Sequence, residues 1–155
     1  MERRFRSAEE RHQEILERAA AMGVDRAYIS TLVNTFYGRI RADAEIGPIF
    51  ESVIDDWAPH LARMKDFWAS VALNEGSYSG RPVPAHMKLK GVEPRHFQIW
   101  LTLFRDTLQE TAPSKEAAAF FMERAMMIAQ SLQLAMFGLP ELSKASPERT
   151  LNDQR

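Results

Sequence analysis

Four short features of this chain carry side chains that could hold a metal-centred cofactor and a small ligand. They are Phe36-Tyr37, Trp57-Ala58-Pro59-His60, His86 and Ile99-Trp100-Leu101. A neutral imidazole can be the axial ligand of a haem iron, whereas a phenol, an indole N–H and a second imidazole can face that iron as polar groups. The order and spacing of the four features, rather than any one of them, favour a small haem-binding protein.

Each of these residues also has a plainer interpretation when it is considered alone. His86 follows a Gly/Pro-rich stretch and is compatible with a surface histidine in a loop. His60 lies on an apolar helix face, where it could be a distal gate, a second axial ligand or a hydrogen-bonded core histidine. Tyr37 and Trp100 lie on core-facing stripes, and buried residues of these types usually find a hydrogen-bond partner without any cofactor.

The composition describes an ordinary globular chain and excludes several classes of site. Its 155 residues suit one domain, 45% of them are hydrophobic, and the net charge is −1. The absence of cysteine excludes disulfides, thiolate zinc sites and iron–sulfur clusters, so a metal must be held by His, carboxylate, Met or Tyr. We expect no nucleic-acid partner, no membrane partner, no signal peptide and a cytoplasmic location. No phosphate-binding loop or hydrolase motif is present.

Apolar periodicity and capping residues predict an all-α fold. Ser7 and Glu10 form a capping-box pattern, and Gly23 can end that first helix. Asp25 can cap a second helix with the apolar face Ile29, Leu32, Val33, Phe36, Tyr37 and Ile40.

Capping and turn residues also predict the helices and connections after residue 43. Residues 44–55 are expected to be a connection, and Asp55 or Asp56 to cap a helix carrying Trp57, His60 and Met64 on one face. Residues 74–84 are expected to be a polar loop, and Pro94 to open a further helix. Pro113-Ser114 is expected to break the chain and cap a last helix, which Gly138 can end. His96 is expected at the solvent or near a cofactor edge, and His12 on a charged face without an evident partner.

Several of these blocks together resemble the truncated haemoglobins, specifically their third group. The resemblance covers roughly residues 25 to 138. It is carried, in order, by the segments 32–37, 46–50, Asp56-Trp57 with His60-Leu61, 66–68, 76–80 with Pro82, His86, 96–104 and Arg124-Ala125 through Ile128-Ala129.

This resemblance implies a globin-like, two-over-two helical sandwich that holds one haem b. His86 looks like the proximal iron ligand, Tyr37 and Trp100 like the distal hydrogen-bonding pair, and His60 like the residue at the distal entrance. Arg63 is placed near a propionate, and Met64 is unusually bulky for the distal face. The residues expected to contact the cofactor are Phe36, Phe50, His60, Arg63, Met64, Phe67, Trp68, Ala85, Leu89, His96, Phe97 and Ile128.

The resemblance further implies reversible binding of oxygen or another diatomic ligand, with nitric oxide or peroxide redox chemistry and an unidentified reductase as further expectations. It leaves open whether the protein is an enzyme. We expect a helical extension at residues 1–24, a globin domain at 25–140 and a polar tail at 141–155, in a monomer or weak homodimer. The alternative is a cofactor-free helical interaction module that binds a partner through its Met- and Phe-rich faces.

Overall fold

The computed structural model describes residues 7–76 and 91–138, which form six helices and no strand. The predicted all-α fold class is therefore confirmed for this part of the chain. The helices are α1 (Ala8–Met22), α2 (Arg26–Ala42), α3 (Gly47–Val53), α4 (Trp57–Leu73), α5 (Pro94–Thr111) and α6 (Lys115–Phe137).

Local capping explains where most of these helices begin. The Ser7 hydroxyl accepts a hydrogen bond from the Glu10 amide at 3.0 Å, and the Glu10 carboxylate accepts one from the Ser7 amide at 2.8 Å. Side chains of Asp25, Asp56 and Ser114 cap α2, α4 and α6 in the same way. Each cap satisfies an amide that has no partner inside its helix, so these predicted starts are confirmed.

The centre of the core is α2, which contacts α3, α4 and α5. All six residues of its predicted apolar face are buried, and Ile29, Leu32 and Ile40 are completely so. Helix α6 packs along α5, and α1 packs on α4 and α6. Because α2 is covered on several sides, its consecutive side chains contact different helices. The candidate site lies where its side chains meet those of α3 and α4.

The connection predicted at residues 44–55 is largely helical, because α3 occupies most of it, and this helix was not predicted. The Asp43 carboxylate accepts hydrogen bonds from the Glu45 and Ile46 amides and forms the turn that leads into this helix. Pro48 is tolerated in the first turn, where amides lack helical partners. At Gly47, a Cβ would lie 2.9 Å from the Ile40 carbonyl oxygen, so glycine allows α3 to start directly against the end of α2.

Helix α1 is docked by two polar contacts that the sequence did not reveal. The expectation that His12 lacks a partner is wrong, since its Nδ1 lies 3.0 Å from Nδ2 of Asn74, the left-handed residue that ends α4. The Ser114 hydroxyl, while capping α6, donates to the Met22 carbonyl oxygen at 2.8 Å.

The division of the chain into extension, globin domain and tail stays a prediction. Over residues 7–76 and 91–138, no helix is long and apolar enough to cross a membrane.

Candidate functional site

Four side-chain rings, three of which carry a polar group, meet where α2, α3 and α4 converge. The ring of Tyr37 lies 5.2 Å from that of His60, 6.0 Å from that of Phe50 and 6.1 Å from that of Trp57, measured between centroids. The rings of Trp57 and His60 are 5.7 Å apart and perpendicular. Tyr37 is buried, and the other three are half-buried. We call Tyr37, Phe50, Trp57 and His60 the four-ring cluster.

Helix geometry accounts for this convergence. Trp57 and His60 are three residues apart in the first turn of α4, so they share a face of that helix. Asp56 fixes the start of the turn by accepting from the Ala58 amide at 3.3 Å. Phe50 comes from the middle of α3, whose position against α2 depends on Gly47. The cluster therefore combines a phenol, an imidazole and an indole with an apolar ring.

Trp57 is the member of the cluster that sequence reasoning did not include among the site residues. Its Nε1 is buried, and no hydrogen-bond acceptor contacts it within the described ranges. The Arg41 guanidinium lies 4.4 Å from the centroid of the indole ring, and the Arg41 Nε donates to the Glu51 carboxylate at 3.1 Å. The three-residue spacing of Trp57 and His60 in one helical turn indicates that Trp57 belongs to the same site.

A stack of rings extends from this cluster into the core. Phe36 lies edge-on to Tyr37 at 5.2 Å and to Trp100 at 5.5 Å. Trp100 in turn stacks on Phe104 at 5.8 Å with an interplanar angle of 3°, and Trp68 stacks on the same ring at 5.4 Å. Tyr37 and Trp100, the two predicted distal donors, thus share Phe36 as a neighbour.

Of the two positions expected for His96, at the solvent or near a cofactor edge, the first is wrong. Its side chain is 8% exposed, and its Nδ1 accepts a hydrogen bond from the Glu93 amide at 2.9 Å at the start of α5. Its Nε2 lies 3.5 Å from the carboxylate of Glu45, which also pairs with Arg95. His96 therefore joins the start of α5 to the turn before α3. A contact between His96 and a cofactor stays a prediction.

The other predicted cofactor contacts do not form a single cluster. Met64, Phe67 and Trp68 belong to the main core around α2 and α4, and Arg63 is exposed on the same helix. Phe97 packs with Ala129 and Leu132 in a smaller cluster between α5 and α6. Trp100 and Ile128 are half-buried residues that pack against both clusters. The predicted contacts Ala85, His86 and Leu89 lie outside the described residues.

The described residues show no protein-only metal centre. In residues 7–76 and 91–138, no group of three His, Asp or Glu side chains is placed to hold a metal ion. Burial raises the pKa of the Tyr28 hydroxyl, although its hydrogen bond to Thr111 opposes the shift, and this residue lies away from the four-ring cluster. The chemistry of the site therefore depends on hydrogen-bond donors and acceptors arranged around aromatic surface.

Comparison with known proteins identifies the family. No family model matches the chain. The Group 3 truncated hemoglobin ctb of Campylobacter jejuni is 33% identical over 118 residues, which cover 74% of this chain and 92% of the relative. The crystal structure of the group III truncated hemoglobin from Campylobacter jejuni gives a TM-score of 0.70 at 33% identity over the same shares of the two chains.

A more distant likeness is one of fold alone. Crystal structures of two variants of the group II truncated hemoglobin from Bacillus anthracis each give a TM-score of 0.61 at 21% identity. They cover 74% of this chain and 87% and 88% of their own chains. The predicted globin-like architecture is thereby confirmed. From the extent and identity of the match to the Campylobacter jejuni protein, the chain belongs to the group 3 truncated haemoglobins.

Proposed function

We propose that the protein binds one haem b and holds a small diatomic ligand, oxygen first, beside Tyr37, Trp100 and His60. The observation that carries this proposal is the four-ring cluster, in which a phenol and an imidazole lie edge to face, 5.2 Å apart, among apolar side chains. Membership of the group 3 truncated haemoglobins supports a haem and a diatomic ligand. When bound, the haem would supply an iron that ligates the diatomic molecule.

The chemistry of the donor set fits such a group. A haem needs apolar surface for its faces, polar groups near its ligand side and cations for its propionates. Phe36, Phe50 and Phe67 offer aromatic surface, and Arg63 is an exposed cation on α4. The buried Nε1 of Trp57 has no acceptor among the described residues, as expected where a further molecule completes the site.

Tyr37 is proposed as the principal donor to the ligand. Its side chain is 6% exposed, so a hydrogen bond from its hydroxyl is formed in a low-dielectric environment, where such bonds are electrostatically stronger. Trp100 is proposed as the second donor, held through Phe36 and Phe104. Two donors worth about 1 kcal/mol each would slow ligand release by roughly 30-fold. Slow release suits a sensor or a redox catalyst better than a carrier.

His60 is proposed to stand at the entrance to the ligand side. Its ring contacts those of both Tyr37 and Trp57 from the first turn of α4, where a rotation of its side chain would change access without moving the helix. His86 is proposed as the proximal iron ligand on the strength of the family resemblance. We further propose that the protein carries out nitric oxide or peroxide redox chemistry with an unidentified reductase, and that it is cytoplasmic.

The first test is the visible absorption spectrum of the purified protein, oxidised and then reduced. We expect a strong Soret band that His86→Ala abolishes, because the proximal imidazole is lost. The matched control is His12→Ala, which removes a histidine that pairs with Asn74 far from the four-ring cluster, and it should keep the band. Absence of a Soret band after haemin is added to the wild-type protein would favour the cofactor-free interaction module instead.

A second test separates the two proposed donors from the rest of the site. Tyr37→Phe and Trp100→Phe should each retain the haem and release oxygen about fivefold faster, which corresponds to one hydrogen bond of about 1 kcal/mol. Rapid-mixing measurements of oxygen and carbon monoxide release give the rates. Unchanged oxygen release in both variants would refute the assignment of the donors while leaving haem binding intact.

A further inference from the structure

The Trp57 indole N–H is a buried polar group to which the proposed function assigns no hydrogen-bond acceptor. Its Nε1 is shielded from solvent and contacts no acceptor in residues 7–76 and 91–138. A buried donor without an acceptor destabilises a protein by its full desolvation cost, so such groups are rare unless another molecule satisfies them. Trp57 belongs to the four-ring cluster, so a molecule bound against that cluster is the acceptor that we consider.

Contacts on several sides hold the indole ring in place. Towards the core it packs against the rings of Tyr37 and His60. The Arg41 guanidinium lies over the ring and is itself held by Glu51, which ties α2 to α3. A cation at 4.4 Å from the ring centroid is well within the range of a cation–π interaction. It also draws electron density from the indole, which makes the Nε1–H a better hydrogen-bond donor.

We propose that the Trp57 Nε1–H is a third hydrogen-bond donor to the small ligand held beside Tyr37 and His60. The proposal rests on the proposed function, since it concerns the same ligand side. A ligand whose outer atom carries partial negative charge, such as oxygen, accepts this bond, whereas carbon monoxide is a weak acceptor. Trp57 therefore contributes to discrimination between these two ligands, and Arg41 maintains the orientation that it needs.

The indole resonances provide a direct test in the intact, haem-loaded protein. The chain contains three tryptophans, so labelling with ¹⁵N-tryptophan gives three indole N–H signals, which Trp57→Phe, Trp68→Phe and Trp100→Phe assign. We expect the Trp57 signal to move downfield when carbon monoxide is replaced by oxygen, and the Trp68 signal to move less. A Trp57 signal that is the same with both ligands would overturn the proposal. Any two of the variants complete the assignment, so the measurement does not depend on the folding of all three.

Ligand release from Trp57→Phe provides an independent readout. Phenylalanine keeps a ring beneath Arg41 but removes the N–H, so oxygen release should accelerate about fivefold while carbon monoxide release changes less than about twofold. The matched control is Tyr28→Phe, which removes one polar group, bonded to Thr111, outside the four-ring cluster, and it should leave both rates unchanged. Equal rates in Trp57→Phe and the wild type, with an intact Soret band, would overturn the role of Trp57 alone. Absence of the band in the wild type would overturn the proposed function and this inference with it.

Discussion

Phe104 links the stability of the core to the proposed ligand side, and its removal should change both. Its ring is fully buried, stacks on Trp68 and Trp100, and meets the edge of Phe36 at a centroid distance of 4.8 Å. Truncation of a buried phenylalanine to alanine typically lowers the free energy of unfolding by about 3–5 kcal/mol, through lost burial and the cavity that remains. We expect a loss in the upper half of that range at Phe104→Ala, because three aromatic contacts disappear together.

The functional consequence follows from the loss of the stack. Without Phe104 beneath it, the indole of Trp100 can tilt, and its proposed hydrogen bond of about 1 kcal/mol is weakened, so oxygen release should accelerate up to about fivefold. Phe121→Ala is the matched control, since Phe121 is also fully buried and also touches three rings, but not that of Trp100. It should lower the free energy of unfolding by a similar amount and leave the release rate unchanged.

Urea unfolding followed by circular dichroism and rapid-mixing release of oxygen measure the two effects on the same samples. Domains of this size are stable by about 5–15 kcal/mol, so most of the protein stays folded without urea if the loss is near 4 kcal/mol. Equal acceleration of release in Phe104→Ala and Phe121→Ala would refute the reasoning, because general loosening of the core would then explain the effect. A loss of stability well below 3 kcal/mol at Phe104 would refute the packing argument.

Three further predictions concern the elements that position the site. Ser114→Ala should lower the free energy of unfolding in urea by about 1–2 kcal/mol, because the hydroxyl both caps α6 and donates to the Met22 carbonyl oxygen. Burial raises the pKa of Tyr28, so as the pH rises the phenol loses its proton in the unfolded state before it does so in the folded state. The free energy of unfolding should therefore decline above about pH 10, and this decline should be smaller in Tyr28→Phe. His96→Ala should lower the free energy of unfolding by about 1 kcal/mol, because the Glu93 amide loses its acceptor. An equal loss with and without haem identifies a structural role, whereas a larger loss with haem identifies a cofactor contact.

Features that depend on neighbouring residues could be predicted from the sequence. The capping box at Ser7, the caps at Asp25 and Ser114 and the left-handed end of α1 at Gly23 are all present. Each is decided within about one helical turn, where hydrogen-bonding options are few. The apolar period of α2 also predicted its buried face, because α2 is surrounded by other helices and its whole stripe is used.

Features that depend on distant residues could not be predicted. The Gly47-Pro48 pair indicates a turn when it is read locally, but in the structure it begins α3, since glycine fits against the end of α2. His96 is buried at the start of α5, where its Nε2 lies 3.5 Å from the carboxylate of Glu45 in a different part of the chain. For the candidate site, helical spacing predicted that Trp57 and His60 share a face, but only the packed structure places Tyr37 beside them. The roles of these residues come from the family resemblance and stay proposals.

The proposed ligand side of this protein is arranged by contacts that need no cofactor. Phe36 and Tyr37 are consecutive residues of α2, and consecutive helical side chains point about 100° apart. Phe36 therefore enters the ring stack with Trp100, while Tyr37 enters the four-ring cluster with His60. A side chain that is already packed loses little conformational freedom when a ligand arrives, so more of its hydrogen-bond energy is available for binding. The aromatic packing that stabilises the core thus also fixes the side chains of Tyr37 and Trp100 for the donor roles that we propose.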